Sequence, residues 1–548
     1  MTSMYARIAL AVALAFAIGP ATGAAAPQAS TPRTADGHPN LAGIWKARRT
    51  GAADSLVRHA ARAGVPAGAG AVAGQALPYQ PWAAAKKAEN FRHRRTADPL
   101  AQCFLPGVPR IMYLDHAFQI FQTPDLIAVA FEWSNIYRTI HMNGSPHPAD
   151  IEFWMGDSRG RWDGDTLVVD VRNHNDRTWL DASGNFHSDA FAVVERYTLT
   201  GPDTMAYEAT VEDTKVFTAP WVIRLVLQRQ TGVDRLGDHE CLAEAEEANG
   251  LFEPEPGTWY PKSGVPPGAP RFSAEVERIA ALPKAPLPSP GPKAGPVRRL
   301  PDGTPDFHGY YASGADNVLG NYGLEAHGEG LGKGRRASRG LIIDPPDGRL
   351  PTRPWARALQ EDRLRPERAY DDPAAHCFPI GSPRGMYLNE IFVLQPPGYV
   401  VFLFERMGFR IVALDGRRHP PERVRRWQGD SVGRWENGTL VIDTTNFTGK
   451  TWLNEPAGEH GGEVLTYGEH LIERLTPIDA ETVHYEATVL DPIAYTRPWT
   501  IALSMKQAPL ELLEVACKED DQDLPHLKAL KDAARAGGRK QPPAPARK

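Results

Sequence analysis

Cysteine is scarce in this chain: four residues among 548, with no CxxC pair. That excludes a zinc ribbon or a dithiol redox centre. Charge of one sign is also lacking. Sixty-one lysines and arginines face 66 aspartates and glutamates, a formal net charge of −5, so the composition implies no basic surface suited to nucleic acid. No phosphate loop, dinucleotide glycine fingerprint or HExxH pair occurs, so no cofactor and no metal is expected from local motifs. Long apolar runs are missing as well. The longest, Ile8–Ile18, has 11 residues, whereas a membrane-crossing helix needs about 20. No stable membrane anchor is expected. What abounds is glycine and proline, fifty of each, which favours short strands and many turns over long helices.

The short apolar run has its own meaning. Arg7 precedes it and small residues Gly19–Ala26 follow, the pattern of a cleaved export signal over residues 1–26. The mature protein is therefore expected to be periplasmic or secreted, where disulfides are permitted.

The chain repeats itself. GDSRGRWDGDTLVVD at 156–170 returns as GDSVGRWENGTLVID at 429–443, with 10 of 15 positions identical. TWLD at 178–181 returns as TWLN at 451–454, and YEATV at 207–211 returns at 485–489. The offset stays between 272 and 278, which implies two homologous domains. We place copy one at 36–250, a proline-rich linker at 262–301, copy two at 302–520, and a charged, partly disordered tail at 521–548. Each copy carries two cysteines, and the simplest pairing is Cys103–Cys241 with Cys377–Cys517, against the alternative of buried free thiols. Each bridge would close a loop worth about 4–5 kcal/mol in the chain-entropy picture.

The aligned parts read as antiparallel strands. Leu126–Glu132 and Tyr137–Met142 form one hairpin, and Tyr399–Glu405 with Phe409–Leu414 form its counterpart. Thr166–Val171, Phe191–Leu199, Met205–Val211 and Trp221–Leu227 follow, with turn residues between them. Eight or so strands per copy without a long helix give an all-β fold: two tandem antiparallel barrels or sandwiches, a closed barrel having the merit of leaving no edge.

Gly43-Ile44-Trp45 on the first strand resembles the G-x-W signature of lipocalins, with Gly309-Tyr310-Tyr311 in its place in copy two. Two lipocalin-like barrels in tandem are similar in architecture to the hydroxyneurosporene synthase group. The motif set PNLAGIW, GVPR, GRWDGDTLVVD and TWLD more closely resembles a family of exported bacterial repeat proteins without an assigned activity, and so implies no function.

Polar residues repeated on apolar strand faces are the catalytic candidates. By alternation, Glu132 lies with Ala128 and Ala130, Arg138 with Ile140 and Met142, and likewise Glu405 and Arg410 in copy two. This suggests cross-strand pairs Glu132–Arg138 and Glu405–Arg410, either functional or purely structural. Glu195 and Glu473 also fall on apolar faces, where a carboxyl pKa rises and acid–base work becomes possible, unless a repeated arginine reaches them from a facing strand. Arg110 and Arg384, the loop histidines His147, His419, His187 and His460, and Trp162 and Trp435 are candidate ligand contacts. Ser158 and Ser431 in GDSxGRW are discounted as nucleophiles, because that segment leads into a turn and strand instead of a strand–helix elbow. The leading expectation is an exported protein binding a small apolar or aromatic molecule. The alternatives are a cofactor-independent lyase, hydratase or isomerase using a barrel glutamate with an arginine, and a protein-interaction module. The sequence leaves the oligomeric state open.

Overall fold

A computed structural model describes residues 32–536, apart from 63–64, 73–75, 242–250, 252–269, 292–293, 314–323, 327–339, 389, 407, 457–460 and 520. The export-signal segment 1–26 lies outside the described residues, as does 537–548 of the tail.

Copy one is a closed barrel of nine strands: β1 (Gly43–Ala47), β2 (Phe118–Gln122), β3 (Leu126–Phe131), β4 (Tyr137–His141), β5 (Asp157–Asp163), β6 (Thr166–Arg172), β7 (Ala192–Gly201), β8 (Thr204–Glu212) and β9 (Trp221–Arg229). Neighbours are antiparallel except β4 and β5, which run parallel and pair only at His141 and Arg159. An odd number of strands cannot alternate all the way round, and the thin β4–β5 seam absorbs the mismatch. Copy two repeats the plan with β10 (Gly309–Ser313), β12 (Ile391–Leu394), β13 (Tyr399–Phe404), β14 (Phe409–Ala413), β15 (Asp430–Glu436), β16 (Thr439–Thr445), β17 (His470–Pro477), β18 (Thr482–Leu490) and β19 (Trp499–Ala508), closed by β10 against β19. The extra strand β11 (Ile342–Asp344) lies alongside β19. The parallel seam recurs as β14–β15. The alternative of a sandwich is thereby settled in favour of barrels.

The strand positions follow the alternation read from the sequence, with two omissions in copy one, β2 and β5. GDSRGRW is a strand, β5, not a turn. Its Gly160 lies under Ile140 and Met142 of the β4 side, where a Cβ would come within 2.8 Å of either side chain, so the residue that disguises the strand is the one its packing needs. The sequence also hides a 17-residue helix, Pro81–Ala97, which buries only Ala83 and Asn90 and so shows no apolar stripe. Within the proline-rich 262–301 segment, residues Ala274–Ala280 form a helix capped by Ser273, and Ala280 packs on Val441, Ile472 and Leu490 of copy two. Residues Asp523–Ala536 of the tail are helical, and Lys531 reaches Asp371.

Both interiors are filled. Trp45, Tyr207, Leu227 and their neighbours occupy the first barrel, and Tyr485, Trp499 and Met505 the second, each almost inaccessible to solvent. Gly43 adopts φ +133°, a conformation that side-chain-bearing residues rarely take, and a Cβ there would also displace the Arg229 guanidinium, which lies across the Trp45 ring at 4.3 Å. A third apolar cluster joins the barrels: Phe121, Leu126, Ala128 and Ala130 meet Leu394, Val401, Leu403 and Phe409. Strands β3 and β13 are therefore apolar on both faces, one turned to a lumen and one to the other barrel.

The disulfides are Cys103–Cys241 and Cys377–Cys517, with Cα separations of 5.8 Å in each. They indicate an oxidising compartment. No helix among the described residues is long and apolar enough to cross a membrane. Ahead of each second cysteine, a segment leaves its own barrel and crosses to the other one. Residues 234–238 lie over the β14–β15 seam, and 511–515 lie over the β4–β5 seam. These straps are exchanged symmetrically. Asp238 accepts the backbone N–H of Trp427 at 2.9 Å, and Glu514 accepts those of Trp154 and Met155 at 2.6 and 2.9 Å.

Candidate functional site

Glu195 and Glu473 sit on the inner faces of β7 and β17, fully buried. Each finds an arginine on a facing strand. Arg138 Nη1 donates to Glu195 Oε1 at 3.2 Å and Nη2 to Oε2, while Nε donates to Ser158 Oγ at 2.9 Å. Tyr197 and Tyr207 hydroxyls add donations to Oε1 at 3.0 and 2.8 Å. In copy two, Arg410 pairs with Glu473 and Ser431 in the same way, Tyr485 donates to Glu473 at 2.7 Å, and Arg410 Nη2 reaches Thr444 Oγ1 at 2.7 Å. Tyr197 has Leu475 as its counterpart, and Val171 has Thr444, so one barrel satisfies the pair with a second tyrosine and the other with a threonine. Burial works against the Arg138 charge, but Glu195 outweighs it and raises the arginine pKa. Burial first, then Glu195, lifts both tyrosines well above their ordinary pKa, which keeps them as donors.

The pairs inferred from face alternation, Glu132–Arg138 and Glu405–Arg410, do not form. The register sets Arg138 opposite Val129 and Arg410 opposite Phe402, both inward, while Glu132 and Glu405 continue the outward rows of Ala128–Ala130 and Val401–Leu403. Both faces being apolar, each residue was correctly placed on an apolar face, but the two faces are different. Glu132 accepts the Ala117 N–H at 3.0 Å. Glu405 is half-buried beside Glu390, and burial and that neighbour raise its pKa.

Most other candidates are committed to the fold. Arg110 is bidentate to Asp98 at 2.7 and 2.8 Å, and Arg384 to Asp372 at 3.2 and 3.1 Å, all four buried. Both arginines spend their Nη groups on these carboxylates and are almost inaccessible to solvent. His147 is held between Asp157 at 2.5 Å and Asp170 at 3.4 Å, and His419 between Asp430 at 2.8 Å and Asp443 at 3.3 Å. Burial lowers the His419 pKa, but the two aspartates outweigh it and raise it to about 9. His187 is buried, shares a hydrogen bond of 2.6 Å with Thr178 and stacks on Phe191 at 4.1 Å. Its counterpart is not His460, which lies outside the described residues. Trp179 bridges Phe186 where Trp452 bridges Val464, so an insertion has shifted the offset and Leu465 occupies the equivalent position. Trp162 stacks on His38 at 4.8 Å and Trp435 on Phe307 at 5.4 Å, half-buried against the N-terminal segment of each copy. Ser158 and Ser431 are buried acceptors for arginine. No group of three or more His, Cys, Asp or Glu side chains placed to hold a metal ion occurs among the described residues.

A cavity lies on the flank of the first barrel. Between the β4–β5 seam of the first barrel and the strap of copy two is a cavity of about 190 Å³. Arg138 and Ser158 lie at its barrel wall, Trp133, Ile136, Tyr137 and Phe153 along its apolar side, and Leu512 and Leu513 on the strap. At its polar end Arg159 is bidentate to Asp157, at 2.7 Å for each bond, and Glu511 reaches Arg159 at 3.4 Å and His141 at 3.8 Å. The corresponding space on the second barrel measures only about 70 Å³. There the strap's Arg235 donates to Asp430 at 2.6 Å, and Arg417 and Arg426 crowd in. Arg159 and His141 have Val432 and Ala413 as counterparts. Sequence reasoning found Arg138 but missed the strap, because 511–515 carries no motif and acquires meaning only by crossing to the other copy. Tyr207 and Tyr485 were signalled by the repeated YEATV.

No protein-family model matches this chain, and no curated protein matches its sequence.

Proposed function

We propose that this is an exported, periplasmic or secreted small-molecule-binding protein, directed by the 1–26 segment, whose ligand has an apolar or aromatic body. The ligand seat we assign is the flank of the first barrel under the copy-two strap, not a barrel lumen. The observation that carries this reading is the asymmetry of the two flanks. Pseudo-equivalent seams are covered by exchanged straps, yet one encloses about 190 Å³ and the other about 70 Å³. A volume below the usual range for drug-sized ligands suits a compact molecule. The described residues of both interiors are packed with large side chains such as Trp45, Tyr207, Tyr485 and Trp499.

The lyase, hydratase or isomerase alternative is supported less. An acid–base role for Glu195 requires a lone pair facing a substrate, and Glu195 is fully buried and already accepts from Arg138 and two tyrosines. The family resemblance to exported repeat proteins is consistent with the binding reading and adds no activity to it.

Thermal unfolding against a panel of small aromatic and alicyclic compounds tests the proposal. At least one compound is expected to raise the Tm of the wild type, and neither Ile136→Trp nor Leu513→Trp, which fill the cavity, should retain that rise. No shift in the wild type, or shifts that persist in both filled variants, would count against it.

A further inference from the structure

We propose that the flank cavity of the first barrel takes an organic cation, an amine or quaternary ammonium group borne on an apolar or aromatic body. This rests on the ligand-binding reading and names the chemistry of the ligand. The walls combine aromatic faces, Trp133, Tyr137 and Phe153, with an excess of carboxylates. Asp157, Glu405, Glu511, Glu514 and Glu519 line it against the cations Arg138, Arg159 and Lys518. Two of those cations are already neutralised by the first barrel itself, Arg138 by the buried Glu195 and Arg159 by Asp157. Two carboxylates are taken up by backbone N–H groups, Glu514 at Trp154 and Met155 and Glu519 at Leu105. Glu511 is only partly compensated. Its side chain is 46% exposed, it touches Arg159 only at 3.4 Å, and its other neighbour, His141, has its pKa lowered by burial. Aromatic faces with nearby carboxylates are the environment that stabilises an organic cation, through ring quadrupoles and charge together.

The second barrel provides an internal comparison. At the strap position of Glu511 it carries Arg235, seated on Asp430, the counterpart of Asp157. Four guanidiniums, Arg235, Arg410, Arg417 and Arg426, line that smaller space. There the protein brings its own cation on the strap and closes the gap. In the first barrel the strap brings a carboxylate and leaves the gap open, and the cation must come from the ligand.

Isothermal titration calorimetry on the full, disulfide-bonded chain, with benzyltrimethylammonium, 2-phenylethanol and phenylacetate as probes, tests this. The ammonium probe is expected to bind about tenfold more tightly than either other probe. Glu511→Gln should weaken it about fivefold while leaving 2-phenylethanol unchanged, and added salt should weaken the ammonium alone. Ile136→Trp and Leu513→Trp should abolish binding of all three. If phenylacetate or 2-phenylethanol binds as tightly as the ammonium, the cation assignment falls and the binding site remains. If no probe binds at millimolar concentration, or binding survives both filled variants, both readings fall.

Discussion

Glu195 and Arg138 show how a buried ion pair constrains this fold at the scale of single residues. Together with Ser158, Tyr197 and Tyr207 they form a closed hydrogen-bonded set inside an apolar barrel. Removing one charge leaves the other buried and unpaired, so Glu195→Gln or Glu195→Leu should destabilise the protein by about 3–5 kcal/mol in denaturant unfolding, and Glu195→Leu/Arg138→Met together by much less. Equal losses for single and double variants would contradict that. The clamped His419 gives a pH signature. Its folded pKa of about 9 lies above the ordinary 6.5, so its stabilising contribution is complete below about 6.5 and disappears as pH rises through about 9. His419→Gln should therefore flatten the stability profile between those values and change little above them. Buried Glu463 acts in a lower window. Burial raises its pKa to about 7, so its stabilising contribution is complete below the ordinary carboxyl value, is lost as pH rises through about 7, and Glu463→Gln should remove that decline from the unfolding midpoints. Alternation along the strands was enough to place Glu195 and Arg138 on apolar faces. The partner of each was not legible, because pairing depends on which of two apolar faces looks inward, and that is decided by the inter-barrel contact of Ala128, Ala130 and Phe409.

At the scale of elements, the straps hold the cavity and the seam together. Glu514 accepts two backbone N–H groups, and Asp238 one, just ahead of the β5-type strand in the opposite barrel. Glu514→Ala should raise amide hydrogen exchange at Trp154 and Met155 of the first barrel, and leave exchange within β16–β18 unchanged. Uniform change across both barrels would show that the strap is not a local clasp. The β-hairpins were legible because β3 and β13 are short continuous apolar runs, and the strands from β7 to β9 because one face of each is apolar at alternate positions. The strand β5 was not, since Gly160, Arg159 and Asp157 resemble a turn, and the helix Pro81–Ala97 was not, since it buries so little. The strap went unread for a related reason: Glu511 to Val515 meets its apolar and polar partners only on the other copy.

The whole molecule is two barrels that complete one another. Each supplies a strap to the other's parallel seam, a shared apolar cluster joins their walls, and each strap is followed by a disulfide to its own copy. Calorimetric unfolding should therefore give one cooperative transition, with the two barrels melting together; two separated transitions would mean that the exchanged straps contribute little. Replacing Cys377 and Cys517 by serine should lower stability by about 2–5 kcal/mol and weaken ligand binding at the first barrel more than the corresponding change at Cys103 and Cys241, because the copy-two strap lies over the larger cavity. The duplication, the all-β character and the disulfide pairing were all legible in the repeats. The site was not, because it belongs to neither copy alone. The most direct test is a crystal structure of the full chain with benzyltrimethylammonium. Electron density for the probe is expected between Trp133 and Leu513 with its ammonium beside Glu511, and none at the second seam. Density inside a barrel lumen, at the Arg235 side, or only on the outer surface would contradict the assignment of the flank cavity as the binding site.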